Sequence, residues 1–227
     1  MWARDGRRVY FSYEQGAKPQ VYSKAADDTG QPQLVFQADA ATDPEAVTRD
    51  GSRLLTLRTP TTGPDAVLMH DLSRPRGEST VLFELPYLYQ SYVYADLSPD
   101  DRFVVYQSEE SGRPEIYVRP ASGEERKWQV SIDGGVNPVW SPAGDEIFFL
   151  SGSRLLAAQV DARGDEPVFG EPRVLFENRR VITFDAARDG RRFLVAEDPN
   201  PGALPRLDVV VHWFAEVERR VAEARAP

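Results

Sequence analysis

The sequence predicts an all-β fold built from about five repeated units, and three observations lead to this prediction. The 227 residues contain many short runs rich in valine, isoleucine, phenylalanine and tyrosine, which favour a pleated and partly buried strand. Turn-forming residues separate these runs, with 18 prolines and 16 glycines in the chain. One kind of turn recurs five times. A period of about 40 to 50 residues with four short strands per unit is typical of a β-propeller, in which each unit is one four-stranded blade.

The recurring turn is an Asp-Gly type reversal that directly precedes an apolar strand. Its third residue repeats at intervals of 45, 50, 43 and 46 residues. Aspartate bonds the backbone amides ahead of it, and glycine admits the positive φ of a tight hairpin. The residues expected to form the five turns are Asp5 and Gly6, Asp50 and Gly51, Pro99 and Asp100, Pro142 and Gly144, and Asp189 and Gly190.

Some positions depart from the repeat. Asp101 stands in the glycine position of the third turn, and Ala143 replaces the aspartate of the fourth. Arginine occupies the proline position in the other three turns, at Arg4, Arg49 and Arg188. These departures weaken the exact repeat without disturbing the rhythm of the strands.

The strands that follow the turns set the expected blade boundaries. We expect a propeller over residues 1–213, with the first and last blades incomplete and a tandem meander sandwich as the alternative fold. The expected blades are 1–39, 40–86, 87–132, 133–178 and 179–213. Because the chain opens at the second strand of a unit, we also expect missing upstream blades, an imperfectly closed ring and self-association through open strand edges.

The end of the chain departs from the strand pattern. Phe214, Val217 and Val221 recur at helical spacing, and a glutamate four residues before an arginine adds an ion pair on the polar side. We therefore predict an amphipathic helix over residues 214–227. It would cap the last blade with its narrow apolar stripe or dock a partner.

Composition excludes several classes of function. The chain has no cysteine and two histidines, so disulfides, thiolate catalysis and histidine-rich metal sites are excluded. The net charge is −9 with the acids scattered, which disfavours nucleic acid as a partner. No apolar run approaches the ~20 residues of a membrane span, and residues 1–8 are too polar for a secretory signal. We expect a cytoplasmic chain if it is complete, and an extracytoplasmic one if it belongs to a longer membrane protein.

Catalytic constellations are weak in this sequence. His70 and His212 both lie in strand-like contexts, and no Gly-x-Ser-x-Gly elbow occurs, so we expect both rings to be structural. The run at 27–30, Asp-Asp-Thr-Gly, lacks the twelfth-position ligand of a calcium loop and favours a solvated turn. We expect no catalytic residue, metal or cofactor.

Carboxylates provide the alternative function. Some propellers are glycosidases that use paired acids near the propeller axis. If this chain did the same, it would be a glycoside hydrolase or a carbohydrate-binding protein. The candidates by position are Asp96, Glu109, Glu110 and Asp185. Nothing in their spacing selects a pair.

Four tyrosines form the candidate binding site. Tyr87, Tyr89, Tyr92 and Tyr94 lie just before the first strand of the third unit, in a loop expected to open on one propeller face. Aromatic faces anchor protein and peptide interfaces, although the same residues would also serve as an inter-blade core. The sequence thus predicts a protein or peptide partner at this loop.

The turn motifs carry a resemblance to a known family. Leu97-Ser98-Pro99-Asp100 and Val139-Trp140-Ser141-Pro142 resemble the Trp-Ser-Pro-Asp-Gly repeat of TolB-type, WD-like β-propellers, and the likeness covers nearly the whole chain. Within it, several segments are similar to the C-terminal propeller of bacterial serine/threonine protein kinases. These segments are Ser108–Pro120, Lys127–Ser131, Gly134–Ser141, Asp189–Val195 and Val209–Phe214.

The resemblance implies a sensor or scaffold region, attached in longer relatives to a kinase domain and often to a membrane segment. The chain itself contains no Gly-rich nucleotide loop and no Val-Ala-Ile-Lys, His-Arg-Asp or Asp-Phe-Gly motif. We therefore expect a non-catalytic interaction module of a bacterial signalling protein.

Overall fold

Five antiparallel sheets follow one another along the chain in a computed structural model. The structure describes residues 1–14, 18–27, 29–74, 78–85, 93–178 and 180–198, and within these ranges it contains eighteen strands and no helix. The all-β propeller prediction is therefore confirmed. The helix expected over 214–227 lies outside the described residues.

The sheets take their strands in chain order. Sheet 1 contains β1 (Arg8–Glu14), β2 (Pro19–Ala25) and β3 (Gln33–Gln37). Sheet 2 contains β4 (Ala41–Val47), β5 (Arg53–Thr59), β6 (Asp65–Asp71) and β7 (Ser79–Leu85). Sheet 3 contains β8 (Ala95–Leu97), β9 (Phe103–Ser108), β10 (Glu115–Pro120) and β11 (Trp128–Gln129). Sheet 4 contains β12 (Val136–Trp140), β13 (Glu146–Ser151), β14 (Arg154–Asp161), β15 (Val168–Phe169) and β16 (Arg173–Glu177), and sheet 5 contains β17 (Val181–Ala186) and β18 (Phe193–Glu197).

The first strands of sheets 2 to 5, here called the inner strands, are β4, β8, β12 and β17. Each inner strand lies beside the inner strand of the next sheet. The end of the sheets at which inner strands begin is called the loop end. The opposite end, where each inner strand reverses into the second strand, is called the turn end.

Sheet 1 differs from its sequence prediction at its first strand. Trp2 forms a single antiparallel bridge with Val9, and the backbones of Met1 and Tyr10 exchange two hydrogen bonds of 2.7 and 2.9 Å. Residues 1–3 therefore pair with β1 at the place that an inner strand takes in the other sheets. The expectation that the chain opens directly at a second strand was incomplete.

The hydrophobic core lies between consecutive sheets. On β9, Val104 and Tyr106 pack toward sheet 2, whereas Phe103 and Val105 pack toward sheet 4. Since successive side chains of a strand point to opposite faces, a strand buried on both faces has an unbroken apolar run. This explains why the second strand of each unit stands out in the sequence.

The five predicted turns share one backbone conformation at their third residue. The φ angles are 70° at Gly6, 71° at Gly51, 62° at Asp101, 76° at Gly144 and 63° at Gly190. Asp101 thus adopts the left-handed conformation that costs an L-residue roughly 1–2 kcal/mol, although aspartate tolerates it better than most.

A hydroxyl and a carboxylate brace three of these turns. The fourth turn has alanine in the aspartate position, and Asp145, two residues later, accepts the hydrogen bond from Ser141 Oγ instead. The carboxylate that closes the turn is therefore retained at a shifted position. The three hydroxyl–carboxylate bonds are Thr48 to Asp50 at 2.7 Å, Ser98 to Asp100 at 2.6 Å and Ser141 to Asp145 at 2.8 Å.

Arginines at the proline positions join the turns to one another. Arg4 Nη2 donates to the carbonyl oxygens of Leu97 and Ser98 at 2.7 and 2.9 Å, which joins the first turn to the third. Arg188 Nη2 donates to the carbonyl of Arg4 at 3.2 Å, so the fifth turn contacts the first. The arginines that break the sequence repeat therefore link its units in space.

Candidate functional site

The inner strands carry four carboxylates, here called the inner carboxylates: Asp43 and Glu45 on β4, Asp96 on β8 and Asp185 on β17. Glu45 and Asp96 are half-buried, whereas Asp43 and Asp185 are exposed. The negative charges of Asp43 and Asp96 raise the pKa of Glu45, and the charge of Asp185 raises the pKa of Asp96. The structure thus brings Asp96 and Asp185, both predicted from sequence, into one electrostatic neighbourhood.

Glu45 has the most strongly altered ionisation of the four. Burial raises its pKa to about 8. The backbone N–H of Ala95, which donates a hydrogen bond to the carboxylate at 3.3 Å, has the opposite effect and lowers the pKa. The charge of Asp43 raises the pKa further. Glu45 is therefore largely protonated at neutral pH.

Asp96 connects two sheets. Its Oδ2 accepts the backbone N–H of Trp140 at 2.9 Å, and its Oδ1 accepts the N–H of Leu97 at 2.8 Å. Burial raises its pKa to about 6, while these bonds and the charge of Arg4 favour the ionised form. Both oxygens of Asp96 are thus held by main-chain donors.

A β-bulge explains why sequence reasoning missed Glu45. The pairing of β4 with β5 shifts register between Pro44 and Ala46, which leaves Glu45 as the extra residue. A bulge re-aims the side chain it carries, so strict alternation along β4 does not predict where Glu45 points. Its neighbour Asp43 accepts a hydrogen bond from Ser12 of sheet 1.

The other two predicted acids lie away from the inner strands. Glu109 and Glu110 belong to the loop between β9 and β10, where Glu110 pairs with Lys127 at 2.7 Å. The structure therefore does not bring them together with Asp96.

One residue of the predicted tyrosine site, Tyr94, lies at the loop end. Tyr94 directly precedes β8 and is 38% exposed, whereas Tyr87, Tyr89 and Tyr92 lie outside the described residues. Two further apolar side chains at this end are Ile132, in the loop before β12 and 70% exposed, and Ile182, at the start of β17 and 60% exposed. We call Tyr94, Ile132 and Ile182 the loop-end apolar residues.

His70 has a structural environment. Its ring is buried, stacks on Phe36 with centroids 4.1 Å apart, and lies with Nε2 2.9 Å from Thr56 Oγ1. The second histidine, His212, is outside the described residues.

The run at 27–30 is a turn where the structure describes it. Asp27 Oδ1 accepts hydrogen bonds from the N–H and Oγ1 of Thr29, at 3.0 and 2.6 Å. These bonds lower the pKa of Asp27. Asp28 lies outside the described residues.

Neither a metal site nor a membrane-spanning helix occurs in the described part of the chain. There, no three histidine, aspartate or glutamate side chains are arranged to hold a metal ion. No helix with the length and hydrophobicity needed to cross a membrane was found among those residues.

Comparison with known proteins identifies the fold. No family model and no curated protein matches the chain. TolB from Acinetobacter baumannii is 18% identical with a TM-score of 0.66, and the match covers 87% of this chain and 48% of that one. This chain therefore spans about half the length of that TolB.

Two other solved structures are informative. A chain of a nidogen/laminin complex is 12% identical with a TM-score of 0.60, covering 84% of this chain and 68% of that chain. An oligogalacturonate lyase in complex with manganese is 15% identical with a TM-score of 0.55, covering 84% and 55%. Together with TolB, these similarities establish a TolB-like β-propeller fold, one that occurs in a protein complex and in an enzyme.

Proposed function

We propose that the chain is a non-catalytic propeller module that binds a protein partner at its loop end. The observation that carries this proposal is the exposure of Tyr94, Ile132 and Ile182 on segments that all lead into inner strands at that end. Exposed apolar side chains at one end of a molecule favour a protein interface there. The nidogen/laminin structure is a precedent for a similar fold within a protein complex.

The turn end is less suited to binding. Its turns are braced by internal hydrogen bonds, such as those from Arg4 to Leu97 and Ser98, and their exposed residues are mainly arginine and aspartate. Long charged side chains already engaged within the molecule contribute little to affinity. The loop end therefore offers the better surface for a partner.

Partner capture by loop-end variants tests the proposal. Partners would be captured from the source cells with the wild-type chain, with a Tyr94→Ala/Ile132→Ser/Ile182→Ser variant and with a Tyr87→Ala/Tyr89→Ala variant. We expect a specific captured protein to be lost with the triple variant, and with the tyrosine variant if that loop contributes.

Val168→Ser is the matched control. Val168 is 67% exposed on β15, away from the loop end, so the variant removes a similar apolar side chain. We expect the control to retain the partner. Equal capture by wild type and both loop-end variants would contradict the proposed surface.

We also propose that the module belongs to a bacterial signalling protein related to serine/threonine kinases. The basis is the resemblance in the segments from Ser108 to Ser141. Sequencing the DNA upstream of the codon for Met1 tests this proposal. An in-frame kinase domain would support it, and its absence would contradict it.

The inner carboxylates favour a second candidate function, that of a glycoside hydrolase or carbohydrate-binding protein. The pKa of Glu45 is raised to about 8 and that of Asp96 to about 6. Neighbouring acids with altered pKa values are typical of functional sites. A general acid of a glycosidase needs such a raised pKa. Turnover of a glycan panel that is lost in both Glu45→Gln and Asp96→Asn would establish this function over the non-catalytic one.

A further inference from the structure

A pocket of ≈ 640 Å³ lies between sheets 1 and 2 at the loop end. It is formed by Lys18 with the start of β2, the connection from β3 to β4 and the segment that follows β5. This volume is within the range of about 300–1,000 Å³ that holds small molecules. The polar residues that line it are Lys18, Asp39, Arg58, Thr59, Thr61 and Thr62, and the remaining wall is proline and alanine.

Arg58 in the wall of this pocket has an unsatisfied donor. Its side chain is half-buried, and its Nε is fully buried without a hydrogen-bond partner. An unpaired buried donor destabilises the fold, and a charged one does so more strongly. No ion pair within the described part of the chain joins Arg58 to Asp39, the one acid of the wall. Because Nε itself is inaccessible to solvent, an anion in the pocket would bind the other nitrogens of the Arg58 guanidinium.

The chemistry of the wall indicates what that ligand is. Lys18 and Arg58 supply two positive charges against one exposed carboxylate, in a chain whose net charge is −9. Three threonine hydroxyls stand at the same rim and can donate hydrogen bonds. The planar guanidinium of arginine matches the geometry of carboxylate and phosphate groups.

We propose that this pocket binds a small organic anion through its carboxylate or phosphate group. Arg58 would hold the anionic group from inside the wall, and Lys18 would neutralise it from the exposed rim. The proposal goes beyond partner binding, because the pocket uses none of the loop-end apolar residues.

Isothermal titration calorimetry of the full chain tests this site. The probes are glucose 6-phosphate, glucuronate and inorganic phosphate, with glucose as the neutral control. We expect saturable binding of at least one anion, weakened by added sodium chloride, and no binding of glucose. Comparing the affinities for the three anions shows whether the site prefers an organic phosphate, a carboxylate or free phosphate. Failure of all three anions to bind, or equal binding of glucose, would overturn the proposal.

Three variants locate the site. Arg58→Gln should lower the affinity at least about tenfold, and Lys18→Gln, at an exposed position where folding is not at risk, should lower it several-fold. Arg53→Gln is the matched control, since Arg53 is exposed at the other end of β5. Equal losses in Arg53→Gln and Arg58→Gln, or unchanged affinity in Lys18→Gln, would contradict the pocket as the site.

A fourth variant separates this proposal from partner binding. Ile132→Ser should leave the affinity for the anion unchanged even if it abolishes capture of a protein partner. An anion affinity that falls with Ile132→Ser as much as with Lys18→Gln would count against the pocket.

Discussion

The carboxylate of Asp96 on β8 accepts a hydrogen bond from the backbone N–H of Trp140 on β12 at 2.9 Å. A second bond of the same kind runs from the N–H of Ala95 to Glu45, across sheets 2 and 3. These contacts fasten β4 to β8 and β8 to β12 with a side chain as well as by packing. Glu45 and Asp96 therefore have a structural role whether or not a ligand reaches them.

Replacing Asp96 should reveal that role. Asp96→Ala leaves the N–H of Trp140 without its acceptor, and we expect the free energy of unfolding to fall by about 1–3 kcal/mol. Urea denaturation measures the change. Asp185→Ala, at an exposed position on the neighbouring inner strand β17, is the control and should shift stability by less than about 0.5 kcal/mol. Equal midpoints for the two variants would show that the inter-sheet bond is unimportant.

Glu45 should make stability depend on pH. Because burial raises its pKa from 4.5 to about 8, the folded chain binds more protons than the unfolded chain between these values. Glu45 therefore lowers the free energy of unfolding as pH rises from about 4.5 to about 8. We expect Glu45→Gln to become more stable than wild type over this range, by more than about 1 kcal/mol at the upper end.

Urea melts at several pH values provide the measurement for Glu45. The contribution of Asp96 to stability changes with pH over a lower range, from 3.8 to about 6. A pH dependence that continues above pH 6 is therefore due to Glu45 and not to Asp96. A stability difference between wild type and Glu45→Gln that stays constant with pH would refute the raised pKa.

The left-handed residue of the third turn provides a third prediction. Asp101 holds φ at 62°, where alanine is strained and glycine is not, so Asp101→Ala should be about 1–2 kcal/mol less stable than Asp101→Gly. Both variants lose the hydrogen bonds that the carboxylate accepts from the N–H of Arg49, at 3.0 and 3.2 Å. Comparing the two thus isolates the backbone strain, and thermal unfolding measures it. Identical stabilities would mean that the turn relaxes around alanine.

The shifted carboxylate of the fourth turn can be tested by rescue. Asp145→Ala removes the acceptor for Ser141 Oγ and should cost about 1 kcal/mol. Ala143→Asp restores the aspartate position that Asp50 and Asp100 occupy in other turns. We expect Ala143→Asp/Asp145→Ala to recover most of the lost stability in urea melts. A double variant no more stable than Asp145→Ala would show that the two positions are not interchangeable.

Self-association through a strand edge stays a prediction. Among the described residues β18 pairs only with β17, and Leu194 on it is 77% exposed. An open strand edge favours pairing with a second copy. We expect concentration-dependent oligomers in sedimentation velocity, reduced by Leu194→Lys and retained by Ile132→Lys in a loop. A single monomeric species at all concentrations would contradict this.

Much of the fold could be predicted because its signals are local. The turn at 48–53 and the apolar run of β5 are each specified by adjacent residues, since turn chemistry and strand alternation act over a few positions. Ala143 shows the limit of such reading. The sequence shows that the fourth turn lacks the usual aspartate, yet Asp145 supplies the carboxylate from a position that only the folded turn reveals.

By itself the sequence determined the strand rhythm, the five turns and the lack of thiol chemistry, because these depend on composition and on neighbours along the chain. Only the tertiary structure decided which acids and cations act together. Glu45 meets the N–H of Ala95 through a bulge, Asp96 reaches Trp140 of the next sheet, and Arg58 stands in a pocket wall without an acceptor. These relationships join residues far apart in the chain, so they are fixed by strand register and sheet packing, which no local pattern encodes.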